Sequence, residues 1–539
     1  MPRAFAARLA VLGAIALAPT VGYAQSQHDG HAPAGTPPAP AVLGEVHFPT
    51  TCSPEAQARF DRAMLLQHSF WYQQAAEAFR NVREADPGCT MAHWGEAMTR
   101  LLNPFNAPHA QDLQAGQALL AEARRLGARS EREAGYIAAL SEVFDGTDVS
   151  GHRARLGRYE AAMAALHARF PDDPEAAILH ALALNIAASP ADKTYAKQLR
   201  AAEILEREFA RRPNHPGVAH YLIHTYDVPA LAARGEAAAL RFAEIAPAAP
   251  HALHMPSHIF TRVGRWQPSA ETNRRAAETA RASRDPDDEL HATDYMVYAY
   301  LQTAQDGAAR AIVEDLDRYA RAAFIRNAGP FALSAIPARY ALERRDWAAA
   351  AALAPRESPY RYITAMTHFA RAVGAARGGR PAEAGSDIAA LARIAEELRP
   401  SDPYWAEQVE IQRLAAEGWV AFAAGDRDRG LALLREAAER EAKTEKHPVT
   451  PGPLSPAREQ LAEMLLLMDR HAEAQREFEA VERTEPRRFR AVHGAARAAE
   501  LAGDRDAARR HYANLLEIAA AADTTRPELA EARASVAQR

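Results

Sequence analysis

Histidines are concentrated in one short segment of this chain, and their spacing is that of ligands on helical faces. Of the 21 histidines, six lie between residues 215 and 258. His220 and His224 are four residues apart, so a helix places both on one face. Three more occupy positions i, i+3 and i+7, again on one helical face: His251, His254 and His258. Imidazoles held side by side in this way can bind one transition-metal ion together.

The two histidine sets repeat with the same interval, which places them on neighbouring helices. His254 follows His220 by 34 residues, and His258 follows His224 by 34 residues. Equivalent helices of adjacent repeats pack about 8–10 Å apart. We therefore expect imidazoles from both helices to converge on one or two ions.

A third segment continues the pattern, with His291, Asp294 and Tyr298 at the same i, i+3 and i+7 spacing. Asp227, three residues after His224, can accept a hydrogen bond from an imidazole N–H. The candidate metal ligands are therefore His220, His224, His251, His254, His258, His291 and Asp294.

The composition of this ligand set favours zinc, copper or iron, since neutral imidazoles with one carboxylate suit these metals. No cysteine lies nearby, which argues against a structural thiolate zinc site. Three protein ligands would leave one position open for water, as in catalytic sites. The alternative is that the histidines fill core space and hydrogen-bond to tyrosines or backbone carbonyls. His68 and the aromatic residues after it are interpreted as core and turn residues.

The elements that must position these histidines are helical, because apolar residues recur at i, i+3, i+4 and i+7 from residue 54 onward. One spacing returns along the chain: Ala, an aromatic residue or Leu four positions later, and Pro eight further on. It occurs as Ala75–Phe79–Pro87, Ala201–Leu205–Pro213, Ala238–Phe242–Pro250 and Ala474–Phe478–Pro486. The small residue lets two helices approach, and the proline starts the next helix. Pro213 and Pro250 are 37 residues apart, which leaves the histidine register uncertain by about one turn.

This pattern resembles the tetratricopeptide repeat family, whose units are helix-turn-helix hairpins of 34 residues. The strings HMPSHIFTRVGRW and TPGPLSPARE look like those of exported bacterial tetratricopeptide proteins. The resemblance implies an all-α superhelical solenoid and no particular reaction. We expect one array over residues 51–310, which holds the histidines, and a second over 311–523. A proline-rich loop between residues 448 and 456 interrupts the second array, and residues 524–539 are expected to form a polar tail.

The first 24 residues have the pattern of a secretory signal peptide. Arg3 and Arg8 precede an apolar run from residue 9 to 17, and small residues end at Ala24. A retained signal anchor is the alternative. Residues 25–50 are interpreted as a disordered linker rich in Pro, Ala and Gly. We therefore expect an exported protein, periplasmic or secreted, without a membrane span after signal removal.

The chain has two cysteines, Cys52 and Cys89. In an oxidising compartment this pair is expected to form a disulfide, the alternative being two free thiols.

Charge and motifs narrow the function classes. The formal net charge is −5 and no basic run occurs, so nucleic acid is not an expected partner. No Gly-rich phosphate loop, G-x-S-x-G or C-x-x-C-H motif occurs, so no organic cofactor is expected.

Three hypotheses remain. The leading one is an exported scaffold that binds a protein or peptide partner on its groove and carries a histidine-rich metal site. The second is a metal-dependent hydrolase or oxidoreductase. The third is a purely structural interaction module with no metal.

Overall fold

The computed structural model describes residues 42–148 and 150–537. The predicted signal peptide and residues 25–41 of the predicted linker lie outside the described residues. No strand occurs within the described residues, and helices follow one another with short connections. The predicted all-α fold class is therefore confirmed.

The first half of the described chain contains fourteen α-helices. They are α1 (Pro54–His68), α2 (Tyr72–Ala85), α3 (Thr90–Thr99), α4 (Ala110–Leu126), α5 (Glu131–Val143), α6 (His152–Arg169), α7 (Pro174–Ile186), α8 (Ala196–Arg211), α9 (Pro216–Tyr226), α10 (Glu236–Ile245), α11 (Pro250–His254), α12 (Pro256–Arg262), α13 (Trp266–Ala282) and α14 (Pro286–Gln302).

The second half contains twelve more α-helices in its described residues. They are α15 (Asp306–Glu314), α16 (Ala328–Glu343), α17 (Trp347–Ala351), α18 (Arg361–Arg377), α19 (Gly385–Leu398), α20 (Pro403–Ala423), α21 (Arg427–Glu441), α22 (Ala457–Leu467), α23 (His471–Thr484), α24 (Phe489–Ala502), α25 (Arg505–Ile518) and α26 (Pro527–Ala537). Short 3₁₀ segments span Ala232–Gly235, Leu316–Tyr319 and Pro381–Ala384.

Successive helices pack as hairpins through the small and aromatic residues that define the sequence pattern. Ala75 and Phe79 on α2 are fully buried. Gly95 on α3 faces the Phe79 ring so closely that a Cβ there would lie 2.2 Å from it. Gly494 on α24 faces Phe478 in the same way, at 2.3 Å. The close approach of a glycine and an aromatic ring therefore holds hairpins at both ends of the chain.

The helix starts resolve the register of the histidine-bearing repeats. α9 begins at Pro216 rather than at Pro213, and α11 begins at Pro250. Proline is favoured at the first helical position, because its missing N–H has no partner there anyway. The two starts are 34 residues apart, the same interval that separates the histidines.

The two predicted arrays share a core. α14 of the first array packs against α16 and α24 of the second. Trp266 and Tyr298 lie in one apolar cluster with Phe489 and Tyr512. The side chains of the histidine-bearing region are thus backed by helices from the far end of the chain.

Two segments differ from the sequence-based expectations. Residues 527–537 of the expected polar tail form α26, where Leu529 and Ala532 are buried against the preceding helices. Leu43 and Phe48, at the end of the expected linker, are also buried. The Phe48 ring packs within 5.0 Å of the Tyr136 ring. A few isolated apolar residues are enough to dock such short segments, although they give no periodicity that a sequence pattern can detect.

A disulfide joins Cys52, just before α1, to Cys89, just before α3. The pairing agrees with the one expected from the sequence. Among the described helices, none is long and apolar enough to cross a bilayer.

Candidate metal centre

The six predicted histidine ligands lie on four helices of the first half. His220 and His224 lie on α9, His251 and His254 on α11, His258 on α12 and His291 on α14. α11 and α12 meet at Met255, whose backbone keeps helical dihedral angles (φ −52°, ψ −36°). The histidines on α11 and α12 therefore keep the predicted one-face spacing.

The six imidazoles form two groups of three. The first histidine group consists of His220, His224 and His251, and its ligand nitrogens all lie within 4.8 Å of one another. The Nε2 atom of His220 is 3.1 Å from Nε2 of His224 and 3.2 Å from Nε2 of His251. This triangle has the size of a set of ligands around one ion.

The second histidine group consists of His254, His258 and His291, again with ligand nitrogens within 4.8 Å. Nε2 of His254 is 3.0 Å from Nε2 of His258. The ring of His291 lies beside that of His254, with centroids 4.3 Å apart and the ring planes tilted by 49°. All three residues are buried.

The two groups touch each other. The ring centroids of His224 and His258 are 5.6 Å apart, and those of His251 and His254 are 5.9 Å apart. The histidines thus form one continuous layer between α9, α11, α12 and α14.

Asp294, the predicted carboxylate ligand, lies outside both groups. Its Oδ1 accepts a bond from Arg339 Nε at 3.3 Å, and both side chains are fully buried. Arg339 on α16 faces this position of α14, so the carboxylate neutralises a buried guanidinium. Helical spacing places Asp294 on the right face of α14 but does not reveal the arginine, which follows 45 residues later.

Hydrogen bonds at the outer ring nitrogens determine which nitrogen of each imidazole carries the proton. His220 Nδ1 donates to the backbone carbonyl of His68 at 2.7 Å. His258 Nδ1 donates to Asp227 Oδ2 at 2.8 Å. This carboxylate is the candidate acceptor for an imidazole N–H that was predicted from the sequence. His254 Nδ1 bonds Asn273 Oδ1 at 2.7 Å. Such partners hold the ring and leave Nε2 with a free lone pair.

The amide of Asn273 is oriented by a second bond. Its Nδ2 donates to the Ser269 carbonyl at 2.7 Å, so Oδ1 must be the atom that faces His254. His254 therefore donates from Nδ1 and carries no proton at Nε2.

These hydrogen bonds leave two Nε2 lone pairs facing each other in the second histidine group. His254 and His258 both carry their proton on Nδ1, and their Nε2 atoms are 3.0 Å apart with no proton between them. Two acceptors at this distance repel unless a cation joins them. A transition-metal ion about 2.0–2.1 Å from each nitrogen would convert the repulsion into two bonds.

Two unpartnered ring nitrogens also favour a bound cation. Among the described residues, the buried Nδ1 atoms of His224 and His291 have no hydrogen-bond partner. Buried polar atoms are nearly always bonded, so each such atom needs an explanation. A bound ion and its remaining ligands can supply one.

Burial keeps the imidazoles neutral. It lowers the pKa of all six histidines, that of His220 to about 3. Neighbouring imidazoles lower the pKa of His224 and His251 further, since two positive rings would repel. A neutral imidazole is the form that binds a metal.

A third cluster was missed by the sequence analysis, which interpreted His68 as a core and turn residue. His68, Glu175 and His215 also have ligand atoms within 4.8 Å of one another. Val218 N–H donates to His215 Nδ1, so His215 donates from Nε2 to Glu175 Oε1 at 2.9 Å. His68 Nε2 lies 3.1 Å from Glu175 Oε2, and its Nδ1 is bonded to the Tyr221 hydroxyl. Every ring nitrogen of this cluster is already satisfied.

Glu175 is ionised in this cluster. Burial alone would raise the pKa of its carboxyl, but His68 and His215 lower it below its ordinary range. No sequence signal pairs these residues, because 107 positions separate His68 from Glu175.

A small cavity of about 30 Å³ lies beside both histidine groups. Four of the imidazoles line it, namely His224, His251, His258 and His291. Phe70, Pro448 and Val449 supply apolar walls, and Asp288 and Arg326 supply a charged edge. The cavity has room for about one or two water-sized ligands beside the imidazoles.

The proline-rich loop of the second array covers this pocket. Tyr295, on α14, donates from its hydroxyl to the carbonyls of Pro448 at 2.8 Å and Thr450 at 3.0 Å. Lys446 Nζ bonds Asp227 Oδ2 at 2.9 Å. Arg262 also bonds Asp227, at 2.8 Å, so that this carboxylate is held by two cations as well as by His258. Residues from distant parts of the chain thus complete one buried site.

Fold and site define the chain as an all-α helical-repeat protein with two adjoining groups of three buried histidines. No family model matches the chain, and no curated protein sequence matches it. Among solved structures, a human IFIT1 dimer with m7Gppp-AAAA is similar over 88% of this chain and 92% of that one, at 12% identity and a TM-score of 0.38. The Cut9–Hcn1 hetero-tetramer of APC/C covers 90% and 96%, at 13% identity and a TM-score of 0.30. Yeast Tom70 covers 90% and 96%, at 11% identity and a TM-score of 0.28.

Proposed function

We propose that the protein is an exported metalloprotein that binds two transition-metal ions, one on each histidine group. The observation that carries this proposal is the 3.0 Å contact between the Nε2 atoms of His254 and His258, whose protons both lie on Nδ1. A cation between the two nitrogens would bind both lone pairs. Asn273, Asp227 and the His68 carbonyl orient the imidazoles, as outer partners do in metal sites.

The shape of the site supports a reactive centre more than a closed structural one. Each group supplies three protein ligands within the described residues, which leaves a coordination position open. The pocket beside His224 and His291 gives a small molecule access to that position. The interpretation as a purely structural module requires a proton between these two nitrogens, which would make His258 cationic beside Asp227. A protein or peptide partner on the solenoid groove stays a prediction.

The test is metal analysis of the purified protein after growth with zinc, copper and iron. We expect two ions per chain, because the two groups are separate sets of three ligands. Protein that stays empty, and that takes up none of these metals on titration, would contradict the proposal.

Export is inferred from the first 24 residues and is supported by the disulfide between Cys52 and Cys89. N-terminal sequencing of the protein from its native compartment tests it. We expect a chain that begins at Gln25, whereas a chain that keeps Met1 inside the cell would contradict export.

A further inference from the structure

We propose that the two ions are copper and that they act as a pair that takes up one dioxygen molecule between them. This inference rests on the proposed metal binding and assigns the metal and the small ligand of the same site.

The ligand set favours copper. Both groups consist of imidazoles alone, and neither contains a carboxylate or a thiolate. For a given nitrogen site, Cu²⁺ binds more tightly than the other divalent ions of the first transition row, zinc included. The six imidazoles bring no negative charge, so nothing in the ligand set offsets the charge of the ions. Monovalent copper therefore costs the least to bury.

The carboxylates around the site argue against a hydrolytic pair of zinc ions. Such a pair uses a free carboxylate as bridge or general base. Here Asp227 is held by Lys446 and Arg262. Asp288 lies 2.8 Å from Arg326 Nη1, and Asp294 is paired with Arg339. Each of these carboxylates is paired with a cation, Asp294 through Oδ1 alone, since its buried Oδ2 has no hydrogen-bond partner.

The contact between the groups supports a shared ligand. His224 and His258 belong to different groups, and their ring centroids are 5.6 Å apart. Imidazoles of both groups line one pocket, so a small ligand that enters it meets both ions. Two-metal sites that share a ligand have ions about 3.5–4 Å apart.

Phe70 shields the site from water. Its ring lies 4.3 Å from the His220 ring and 5.6 Å from the His251 ring, measured between centroids. Together with Pro448 and Val449 it forms the apolar part of a pocket wall that also includes Asp288 and Arg326. An apolar diatomic molecule fits such an entrance better than a charged substrate does.

The proposed step balances without a further reactant. Each copper(I) ion gives one electron, and dioxygen accepts both electrons and becomes peroxide bound between two copper(II) ions. The O–O bond stays intact, and no proton is consumed. The reverse step returns dioxygen and two copper(I) ions.

The experiment loads the full-length mature protein with two equivalents of copper(I) without oxygen and then admits dioxygen. We expect uptake of one dioxygen per two copper ions and an intense near-ultraviolet charge-transfer band. We also expect no electron paramagnetic resonance signal, because the spins of two bridged copper(II) ions cancel.

Two variants serve as comparisons. The double variant H254A/H258A keeps the first histidine group and should bind one copper(I) ion. It should take up no dioxygen in the 1:2 ratio, because no second ion supplies the second electron. Loaded with copper(II) instead, it should give the resonance signal of one isolated ion. H167Q is the matched control, because His167 contacts His180 at 3.2 Å outside the site. This control should behave as the unmodified protein does.

The outcomes separate this inference from the proposed function. Two bound copper ions with no dioxygen uptake, or with the signal of two isolated copper(II) ions, would overturn the inference and leave the metal binding in place. Binding of zinc but not copper would do the same. Protein that binds no metal would overturn both.

Discussion

The His68–Glu175–His215 cluster and the second histidine group differ in where their imidazole protons point. In the His68–Glu175–His215 cluster, the ionised carboxylate accepts the imidazole N–H groups, so each lone pair and each proton has a partner. In the second histidine group, the protons point outward to Asp227 and Asn273, and lone pairs face each other at the centre. Proximity alone does not distinguish these two clusters, whereas the hydrogen bonds around each of them do.

The His68–Glu175–His215 cluster is also joined to the first histidine group. The carbonyl of His68 accepts the Nδ1 proton of His220, so a residue of the structural cluster orients a ligand of the first histidine group. The His68–Glu175–His215 cluster therefore helps to orient the first histidine group.

The largest expected effect comes from removing two ligands of one group. H254A/H258A should lose one of the two bound ions, because a single remaining imidazole cannot hold it. We expect at least about a 100-fold loss of affinity at this group, more than the removal of an outer partner costs. Titration followed by metal analysis measures it. The ion kept by the first group shows that the variant is folded, and a variant that still binds two ions would contradict the assignment.

A smaller effect is expected from an outer partner. N273A removes the acceptor of the His254 Nδ1 proton and leaves all six ligands in place. We expect about a 10- to 100-fold weaker affinity at the second group and an unchanged affinity at the first. Competition titration with a chelator separates the two. Equal weakening of both groups, or no change at either, would count against Asn273 as an orienting residue.

A substitution in the His68–Glu175–His215 cluster should lower the stability and leave the metal content unchanged. E175Q replaces an acceptor of two N–H bonds with an amide that can accept only on one side. We expect a loss of about 1–3 kcal/mol in the free energy of unfolding and two ions still bound. Denaturant unfolding of metal-free protein measures the first, and metal analysis the second. Loss of both ions with stability unchanged would reverse the roles assigned to the clusters.

The pH dependence of this loss has a definite sign. The pKa of Glu175 is lowered in the folded protein, so its contribution to stability is present above the ordinary carboxyl pKa of about 4.3 and is lost as the pH falls below it. The stability difference between the unmodified protein and E175Q should therefore be constant near neutral pH and shrink below about pH 4. A difference that grows on acidification would contradict an ionised Glu175.

Local spacing was enough to predict the fold class and the helical faces of the ligands. The 34-residue interval and the i, i+4 spacing of His220 and His224 depend only on helical geometry within one repeat. The same reasoning placed His291 on the correct face, and it is His291 that completes the second group.

The remaining features depend on contacts between distant residues. Arg339 pairs with Asp294, and Glu175 brings His68 into a cluster. Loop residues near Pro448 close the pocket from the second array. No local pattern encodes these contacts, because they arise from how the solenoid brings separate helices together.

Anomalous diffraction from crystals of the metal-loaded protein tests the central claim most directly. We expect two anomalous peaks, each about 2.0–2.1 Å from the ligand nitrogens of one histidine group, and no peak between His68, Glu175 and His215. A peak at the His68–Glu175–His215 cluster, or empty positions at both histidine groups, would contradict the account.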